Sequence, residues 1–477
     1  MKFIDPRIIK LKKELSHATS YSQWKEIATQ LDRMEGKLEW RQTTESHHYD
    51  AALLGSHLHK MRTLRKPGFE LQLAGVLQES LYRHLGEISN PSLYHNALTG
   101  THLIVREFLE EAAAAMRFLC DHEIEGLSRK TKREMFEQAS HNFGQTALML
   151  SGGGAFGIYH LGVVKALWEQ KLLPKVISGS SMGSIVAAGI CSRNDTELDE
   201  FFAHPERIHR QALKWLSPQK IREEKFLMDS SNLLEHIMSN VGLATFLEAY
   251  EHSGRILNIT VSPTRSRQKP RVLCYLTAPD VMIAHSALAS CAIPGVFRPV
   301  KLHSKNNSGE PVPYMATEEW IDGSVHSDLP KLRITRLHNV NHTIVSQANP
   351  HVLPFITHRR KKGVIPFVKH LGSSMLHSQL AEIFEVSSSM MENSLWRPLF
   401  DKGYAMTKQT YLGDINIQFP FQPLLYRKVA INPDMKGLKL YIRLGEQATW
   451  PKIAEIDDQI FLYKVFEECL DKLRGME

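Results

Sequence analysis

The sequence is poor in cysteine and has no long apolar run. Its 477 residues include five cysteines, an odd number, with no Cys-x-x-Cys pair. We therefore expect no disulfide framework, and reduced thiols as in a cytoplasmic protein. No stretch of about 18 consecutive apolar residues occurs, which predicts that there is no transmembrane helix. The opening residues MKFIDPRIIKLKKELS carry charges throughout and lack the apolar centre of a secretion signal, so we also expect that the protein is not secreted.

Acidic residues are slightly outnumbered by basic ones. The chain has 58 lysines and arginines against 51 aspartates and glutamates, a net charge of +7 with neutral histidines. This excess favours nucleic acid or an anionic lipid surface as a partner, although a solvated basic surface would give the same count. No zinc-ligand spacing, recognition-helix signature or aromatic-basic RNA motif accompanies the charge, which predicts no nucleic-acid binding. A length of 477 residues and an apolar content of 43% predict two or three globular domains.

Two glycine-rich turns follow two short apolar runs. Residues Ala147–Leu150 lead into GGGAFG at 152–157, and residues Val176–Ile177 lead into GSSMG at 179–183. The segment between them has apolar residues at the spacing of one buried helix face: Leu161, Val164, Leu167 and Trp168. The pattern predicts strand, turn, helix, strand, turn and helix. Because parallel strands joined by a crossover helix end at the same edge of a sheet, both turns should face one crevice.

Ser181 is the candidate nucleophile of the second turn. A serine between glycines at a strand-to-helix turn sits on a strained backbone, and its small flanks, here Gly179 and Gly183, let a substrate approach. The glycine run of the first turn leaves backbone N–H groups at a helix N-terminus unblocked by side chains. Such groups can bind a phosphate or the oxyanion of a tetrahedral acyl intermediate.

Other interpretations of these motifs are available. The spacing Gly152-x-Gly154-x-x-Gly157 also fits a dinucleotide-binding turn, which needs an acidic residue about twenty positions later. Residues 177–179 there are Ile, Ser and Gly, so nucleotide binding is disfavoured. A serine nucleophile also needs a base, and 24 histidines leave a histidine triad open. Asp322 in Trp-Ile-Asp-Gly-Ser-Val is a second candidate, although an Asp-Gly pair alone is typical of a tight turn.

The order of four motifs resembles the patatin-like phospholipases. GGGxxG at 152–157 and GxSxG at 179–183 are followed by ASCAIPGVF at 289–297 and by DGS from Asp322. The longer form GGGAFGxxHxGV is similar to the yeast and plant triacylglycerol lipases that carry a patatin domain. Tyr21–Trp40, Asn90–Tyr94 and Gly100-Thr101 resemble the helical domain that precedes the patatin domain in those lipases.

The resemblance implies a fold, a domain order and a set of site residues. The fold is α/β: a three-layer α/β/α core with a mainly parallel sheet, flanked by a helical N-terminal domain (1–144) and a C-terminal, mostly helical extension (351–477). The catalytic domain would be 145–350, with Ser181 as nucleophile and Asp322 as base, without histidine. The oxyanion hole would be formed by Gly152, Gly153, Gly154 and Gly157. The motif flanks would be Gly179, Gly183 and Gly323, and neither a cofactor nor a metal is implied.

Phe156 stands where the usual loop of the family has arginine. The substitution removes one charged contributor to the oxyanion hole and is typical of the neutral-lipid branch. The resemblance thus implies a lipid acyl hydrolase acting on triacylglycerol, with phospholipase A as a close alternative. A lysophospholipase, a transacylase using the same serine and a catalytically silent lipid-binding protein remain open. No histidine has an aspartate five positions later, so the His-x-x-x-x-Asp acyltransferase motif of some relatives is missing.

A lipid surface is the expected partner. The basic run His358–Lys362 precedes the apolar, Met-rich stretch Val364–Phe400, a pattern that suits peripheral binding to a membrane or lipid droplet. A solvated loop before a core helix would give the same pattern. The sequence does not predict the oligomeric state.

Overall fold

The computed structural model describes residues 5–265, 268–324, 328–350, 352–353, 411–420 and 422–475. The described residues of the first 144 form seven α-helices: α1 Pro6–His17, α2 Tyr21–Met34, α3 Lys37–Gln42, α4 Ala51–Leu64, α5 Glu70–Ser80, α6 Leu103–Asp121 and α7 Arg129–Phe143. Side chains of Asp5, Ser20, Asp50 and Ser128 cap α1, α2, α4 and α7 by accepting backbone N–H bonds. The predicted helical character of this segment is confirmed.

Nine short strands follow. They are β1 Gln145–Leu150, β2 Val176–Gly179, β3 Ile256–Pro263, β4 Arg271–Leu273, β5 His303–Lys305, β6 Pro311–Pro313, β7 Trp320–Asp322, β8 Val340–Gln347 and β9 Ile415–Gln418, all within the described ranges. The main sheet has the order β4-β3-β2-β1-β8-β9, and β7 also pairs with β3. Strands β3, β2, β1, β8 and β9 run parallel, whereas β4 and β7 are antiparallel to β3. The predicted α/β class with a mainly parallel sheet is confirmed.

Ten further helices cover the sheet and join it to the N-terminal helices. They are α8 Tyr159–Glu169, α9 Met182–Cys191, α10 Asp195–Ala203, α11 Pro218–Glu224, α12 Ser230–Val241, α13 Phe246–Ser253, α14 Ile283–Cys291, α15 Lys331–His338, α16 Met435–Thr449 and α17 Ile453–Arg474, as far as the chain is described. The β1-α8-β2-α9 order is the predicted one. Strand β4 ends at Leu273, because the Cys274 N–H donates to Thr277 Oγ1 and the chain turns there.

The C-terminal residues pack into two hydrophobic cores, one around the sheet and one among the N-terminal helices. Strand β9 extends the sheet, and α16 packs on α8 so closely that a side chain at Gly162 or Gly445 would overlap the backbone of the other helix. Helix α17 instead places Phe466 and its apolar neighbours in the core formed by α4, α6 and α7. The described part of the predicted extension is therefore built into the sheet and the helical domain. The basic run 358–362 and the stretch 364–400 lie outside the described residues.

The five cysteines, all in described segments, are free thiols. Among the helices that the structure describes, none combines the length and the apolar character needed to cross a bilayer.

Candidate active site

Ser181 lies between the end of β2 and the start of α9. Its backbone has φ 50° and ψ −127°, a conformation that residues with a side chain rarely adopt. The residue is 7% exposed. This strained turn is the geometry that points a nucleophile away from the sheet edge, and it lies where the sequence predicted it.

The two glycines of this turn are required by close backbone packing. A Cβ on Gly179 would overlap the carbonyl of Gly183, and a Cβ on Gly183 would overlap the carbonyls of Leu150 and Ser151. Helix α9 therefore begins almost in contact with the end of β1. The small flanks serve the packing of the turn itself, in addition to the access that the sequence suggested.

Asp322 reaches the same edge through the register of β3. Val261 pairs with Arg271 of β4 and also with Asp322 of β7, so β7 lies on the opposite side of β3 from β4. That is the side of β2, whose last pair is Gly179 with Ile259. Strand β7 thus takes the place along β3 that β2 leaves when the chain turns away. Asp322 lies two register positions beyond Gly179, about 7 Å along the strand.

The Asp322 side chain is 1% exposed and held in orientation. Its Oδ1 accepts the Ser324 N–H at 2.8 Å, and its own N–H donates to the Ala292 carbonyl at 3.0 Å. Gly323, the following residue, lies so close to Thr260 that a side chain there would overlap the Thr260 carbonyl. The Asp-Gly pair is therefore a turn whose tightness fixes a buried carboxylate.

Cys291 stands in the chain between Ser290, which accepts the Ser181 N–H, and Ala292, whose carbonyl accepts the Asp322 N–H. Burial and the negative charge of Asp322 raise the pKa of the Cys291 thiol, while hydrogen-bonding contacts with the hydroxyls of Ser181 and Ser184 oppose the rise. The preceding residue, Ser290, accepts the Ser181 N–H at 3.0 Å and donates to the Thr260 carbonyl at 2.8 Å. The end of α14 thus ties the serine turn to β3, within the ASCAIPGVF segment that is one of the four motifs of the family resemblance.

The N–H groups of the glycine loop have different roles. Gly152 N–H donates to Asp328 Oδ1 at 2.9 Å, and Ala155 N–H donates to the Val429 carbonyl at 2.8 Å. Among the described residues, the structure records no acceptor for the N–H groups of Gly153 and Gly154. Gly157 lies within the short 3₁₀ helix Gly154–Ile158, where a Cβ would overlap Met182. Of the four predicted oxyanion donors, Gly152 thus already donates its N–H to a carboxylate, and Gly157 allows the close approach of Met182.

The buried side chain of His160 contacts Ser151, the residue just before the glycine loop. His160 Nε2 lies 2.9 Å from the Ser151 carbonyl and Nδ1 lies 2.7 Å from Ser346 Oγ. Because a carbonyl can only accept, Nε2 carries the hydrogen and Nδ1 accepts from the serine. Burial lowers the pKa of His160 to about 4, against a smaller opposing contribution from the hydrogen bond to Ser151. His160 is therefore neutral at pH 7 and links β1 with β8.

Phe156 points into the core rather than into the crevice. Its ring is fully buried and stacks on Phe419, with centroids 4.8 Å apart and planes at 11°. Tyr441 contacts the same ring at its edge, at 6.1 Å. The residue that replaces the usual arginine thus anchors the glycine loop to segments that come after β9.

An apolar groove runs along α9, the helix that follows the nucleophile. The groove is open to solvent, and one side of it is formed by a face of α9. That face consists of Met182, Ile185, Val186 and Gly189. The opposite side comes from the glycine loop, α8, α12 and residues 208–213, with the basic side chains of His209, Arg210 and His236 also in the lining. Met182, the residue that directly follows Ser181, is part of this lining, whereas Ser181 and Asp322 themselves are not.

Sequence reasoning missed most residues that support this arrangement. Ser290 and Cys291 lie in a motif quoted only for its resemblance, and Asp328 lies in none of the four motifs. No single-sequence pattern shows that a distant backbone N–H needs them. His160 had a weak signal, its fixed place in GGGAFGxxHxGV. Another histidine, His285, packs its ring against His303. In the described segments, no group of three or more His, Cys, Asp or Glu side chains is placed to hold a metal ion.

The fold and the site together define a class: α/β proteins with a serine on a strained strand-to-helix turn, beside a glycine loop and a buried aspartate. Comparison with known families gives two matches. Residues 148–331 match the patatin-like phospholipase family, and residues 4–141 match a domain of unknown function, DUF3336. The chain belongs to the patatin-like phospholipase family.

Similar proteins come from plants and fungi. Triacylglycerol lipase SDP1L of Arabidopsis thaliana is 33% identical, covering 96% of this chain and 58% of the relative. Triacylglycerol lipase 4 of Saccharomyces cerevisiae is 32% identical, covering 99% and 54%. Triacylglycerol lipase ptl3 of Schizosaccharomyces pombe is 34% identical, covering 93% of each chain. The chain therefore spans somewhat more than half the length of the first two relatives and nearly all of the third.

Proposed function

We propose that the protein hydrolyses carboxylic esters of lipids through a Ser181–Asp322 dyad. The observation that carries the proposal is the register of β3, which puts Asp322 at the point where β2 ends and Ser181 turns away. The strained Ser181 backbone supports it. So do the hydrogen bonds that the two residues flanking Cys291 make, Ser290 with the Ser181 N–H and Ala292 with the Asp322 N–H. The relatives named as triacylglycerol lipases support a lipid ester as the substrate.

In the proposed mechanism, Ser181 Oγ attacks the ester carbonyl carbon while Asp322 takes the hydroxyl proton. The negative charge that develops on the carbonyl oxygen is stabilised by the N–H groups of Gly153 and Gly154. The alcohol leaves with the proton from Asp322, and an acyl-Ser181 ester remains. Water then attacks this ester, Asp322 takes a proton from the water, and the fatty acid leaves as Ser181 recovers its proton.

The acyl chain would lie in the groove along α9. Four residues of one helix face line it over seven positions, on the order of 10 Å of helix length. An apolar groove of this kind suits a long hydrocarbon chain, because burying each methylene group contributes about 0.8 kcal/mol. Triacylglycerol is the substrate that we propose.

Serine-dependent acyl release tests this function. We expect purified protein to release fatty acid from a triolein emulsion faster than from phosphatidylcholine vesicles. Ser181→Ala should lower kcat by at least about 10⁴-fold, and Asp322→Asn by a similar factor, because an amide cannot take the proton. Ser192→Ala, at the other end of α9, is the matched control and should retain activity. Retained turnover in Asp322→Asn would contradict the dyad, and absence of release together with no fluorophosphonate labelling of Ser181 would contradict the hydrolase.

Gly189 offers a test of the groove. A Cβ at this position would meet only the end of the Arg193 side chain, at 3.6 Å, so a larger residue can enter without backbone overlap. We expect Gly189→Leu to lower kcat/KM for long-chain p-nitrophenyl esters by about tenfold relative to butyrate, because the side chain fills the groove. Gly189→Ala should change this ratio much less. An equal loss on both esters would show that the chain binds elsewhere.

We also propose that the protein meets its substrate at a lipid surface. The net charge of +7 supports this, because basic proteins are attracted to anionic lipid. Flotation with lipid droplets or with vesicles containing phosphatidylserine should recover the protein at low salt and lose it near 0.5 M salt. Recovery that does not depend on salt or on anionic lipid would contradict an electrostatic contribution.

A further inference from the structure

A single buried residue connects the glycine loop, the serine turn and the end of β8. The Asp328 side chain is 2% exposed. One carboxylate oxygen accepts the Gly152 N–H at 2.9 Å, and the other accepts from Asn349 Nδ2 at 2.6 Å. The Asp328 carbonyl accepts from Ser180 Oγ at 2.7 Å. These bonds join residues that are 21 to 176 positions apart in the chain.

The contacts converge beside the nucleophile. A Cβ built on Gly152 would lie 3.0 Å from Asn349 Oδ1, 3.4 Å from Ser181 Cβ and 3.7 Å from Asp328 Oδ1. Asn349 is 5% exposed, and its own N–H donates to Gln347 Oε1 at 3.0 Å. Asn349 is therefore fixed by Gln347 at the end of β8, while the carboxylate of its partner Asp328 holds the glycine loop. The bond from Asp328 fixes the peptide immediately before the N–H groups of Gly153 and Gly154.

We propose that Asp328 and Asn349 are positioning residues that hold the glycine loop where its N–H groups meet the oxyanion of the reaction. This inference rests on the proposed function and adds the residues that make the oxyanion hole rigid. Neither side chain needs to contact the substrate. A shift of about 1 Å in the loop would cost on the order of 10²-fold in rate, because donor geometry matters most in the transition state.

Exchanging the two residues gives a direct test. In Asp328→Asn the new amide can still accept from Gly152, but its N–H₂ group faces the N–H₂ group of Asn349. In Asn349→Asp two carboxylates face each other. In the double variant, the amide at 328 donates to the carboxylate at 349 and still accepts from Gly152. We expect each single variant to lose about 10- to 100-fold in kcat with KM changed less than about threefold, and the double variant to recover to within about threefold of wild type.

Two further measurements separate positioning from other roles. The rate of fluorophosphonate labelling of Ser181 should follow kcat across the series, because labelling uses the same N–H groups. Asp32→Asn is the matched control, since Asp32 is also fully buried and accepts backbone N–H bonds, from Leu98 and Thr99 in the helical domain. We expect Asp32→Asn to lower the melting temperature while kcat of the folded protein stays within about threefold.

The outcomes distinguish the inference from the proposed function. An inactive, unlabelled wild type would overturn the proposed function itself. With an active wild type, single variants that keep their kcat would overturn the positioning role. A double variant no more active than either single variant would also overturn it. If, in that case, Asp328→Asn is as inactive as Asp322→Asn, Asp328 acts as a proton acceptor instead.

Discussion

The crevice at the sheet edge and the N-terminal helical domain are stabilised in different ways. In the crevice, buried polar groups meet backbone atoms at fixed distances, as Asp328 meets Gly152 and Ser290 meets Ser181. In the helical domain, apolar side chains of α4, α6, α7 and α17 form one core. The first arrangement depends on the positions of single atoms, whereas the second depends on the summed area that is removed from water. Substitutions should therefore affect mainly activity in one region and mainly stability in the other.

Phe466→Ala should give the largest change in stability. Phe466 is fully buried, with ring centroids 5.7 Å from Phe143 and 6.3 Å from Phe136. Removing the ring leaves a cavity, so we expect a loss of about 4 kcal/mol in the free energy of unfolding. Esterase activity per folded molecule should stay near wild type at low temperature. Leu71→Ala, at a side chain that is 55% exposed on α5, is the control and should cost less than about 0.5 kcal/mol. An activity loss in folded Phe466→Ala would show that the two regions are coupled.

Acid should weaken the crevice through His160. The folded protein lowers the pKa of His160 from 6.5 to about 4, so the unfolded chain binds one more proton between these pH values. Stability that is complete above pH 6.5 is therefore lost as the pH falls towards 4, by about 3 kcal/mol from this residue. We expect the difference in unfolding free energy between wild type and His160→Gln to shrink over that range.

The helical domain contains a buried histidine of its own, which should contribute less to the loss of stability in acid. His57 lies beside Ser80, with Nδ1 2.8 Å from its Oγ, and burial also lowers its pKa. His57 is 7% exposed, whereas His160 is fully buried, so His57→Gln should remove less of the acid dependence. If both variants change the pH dependence of the unfolding free energy equally, the crevice is no more sensitive to acid than the helical domain.

The smallest effect should come from relieving strain at the serine. Ser181 has a positive φ, which costs about 1 kcal/mol in a residue with a side chain and very little in glycine. We therefore expect Ser181→Gly and Ser181→Ala both to be inactive, with the glycine variant more stable by about 1 kcal/mol in urea unfolding. A glycine variant less stable than the alanine variant would show that the turn is not strained.

Local sequence patterns predicted much of the crevice. The apolar runs before the two glycine turns became β1 and β2, because strand, turn and helix signals there lie within a few residues of one another. Family membership and the α/β class are confirmed. The roles of Ser181, Asp322 and the glycine loop stay predictions. The structure reduces the number of candidate oxyanion donors in the loop, because the Gly152 N–H donates to Asp328.

Other features had no local signal. Strand β9 and helices α16 and α17 join cores whose other members lie far earlier in the chain, so periodicity alone could not assign them to either core. Phe156 looked like a lost charge in the oxyanion hole, yet its ring packs on Phe419, more than 250 residues later. Such partners depend on which surfaces meet after folding.

The sequence by itself determined the β1-α8-β2-α9 order, the two glycine turns and the serine on its strained turn. These features follow from the size and backbone freedom of residues that are neighbours in the chain. Only the tertiary structure decided that β7 fills the place left by β2, so that Asp322 reaches the serine turn. It also decided that Asp328 and Asn349 hold the glycine loop. Burying a carboxylate is favourable only when donors from distant segments converge on it, and the folded chain brings those donors together.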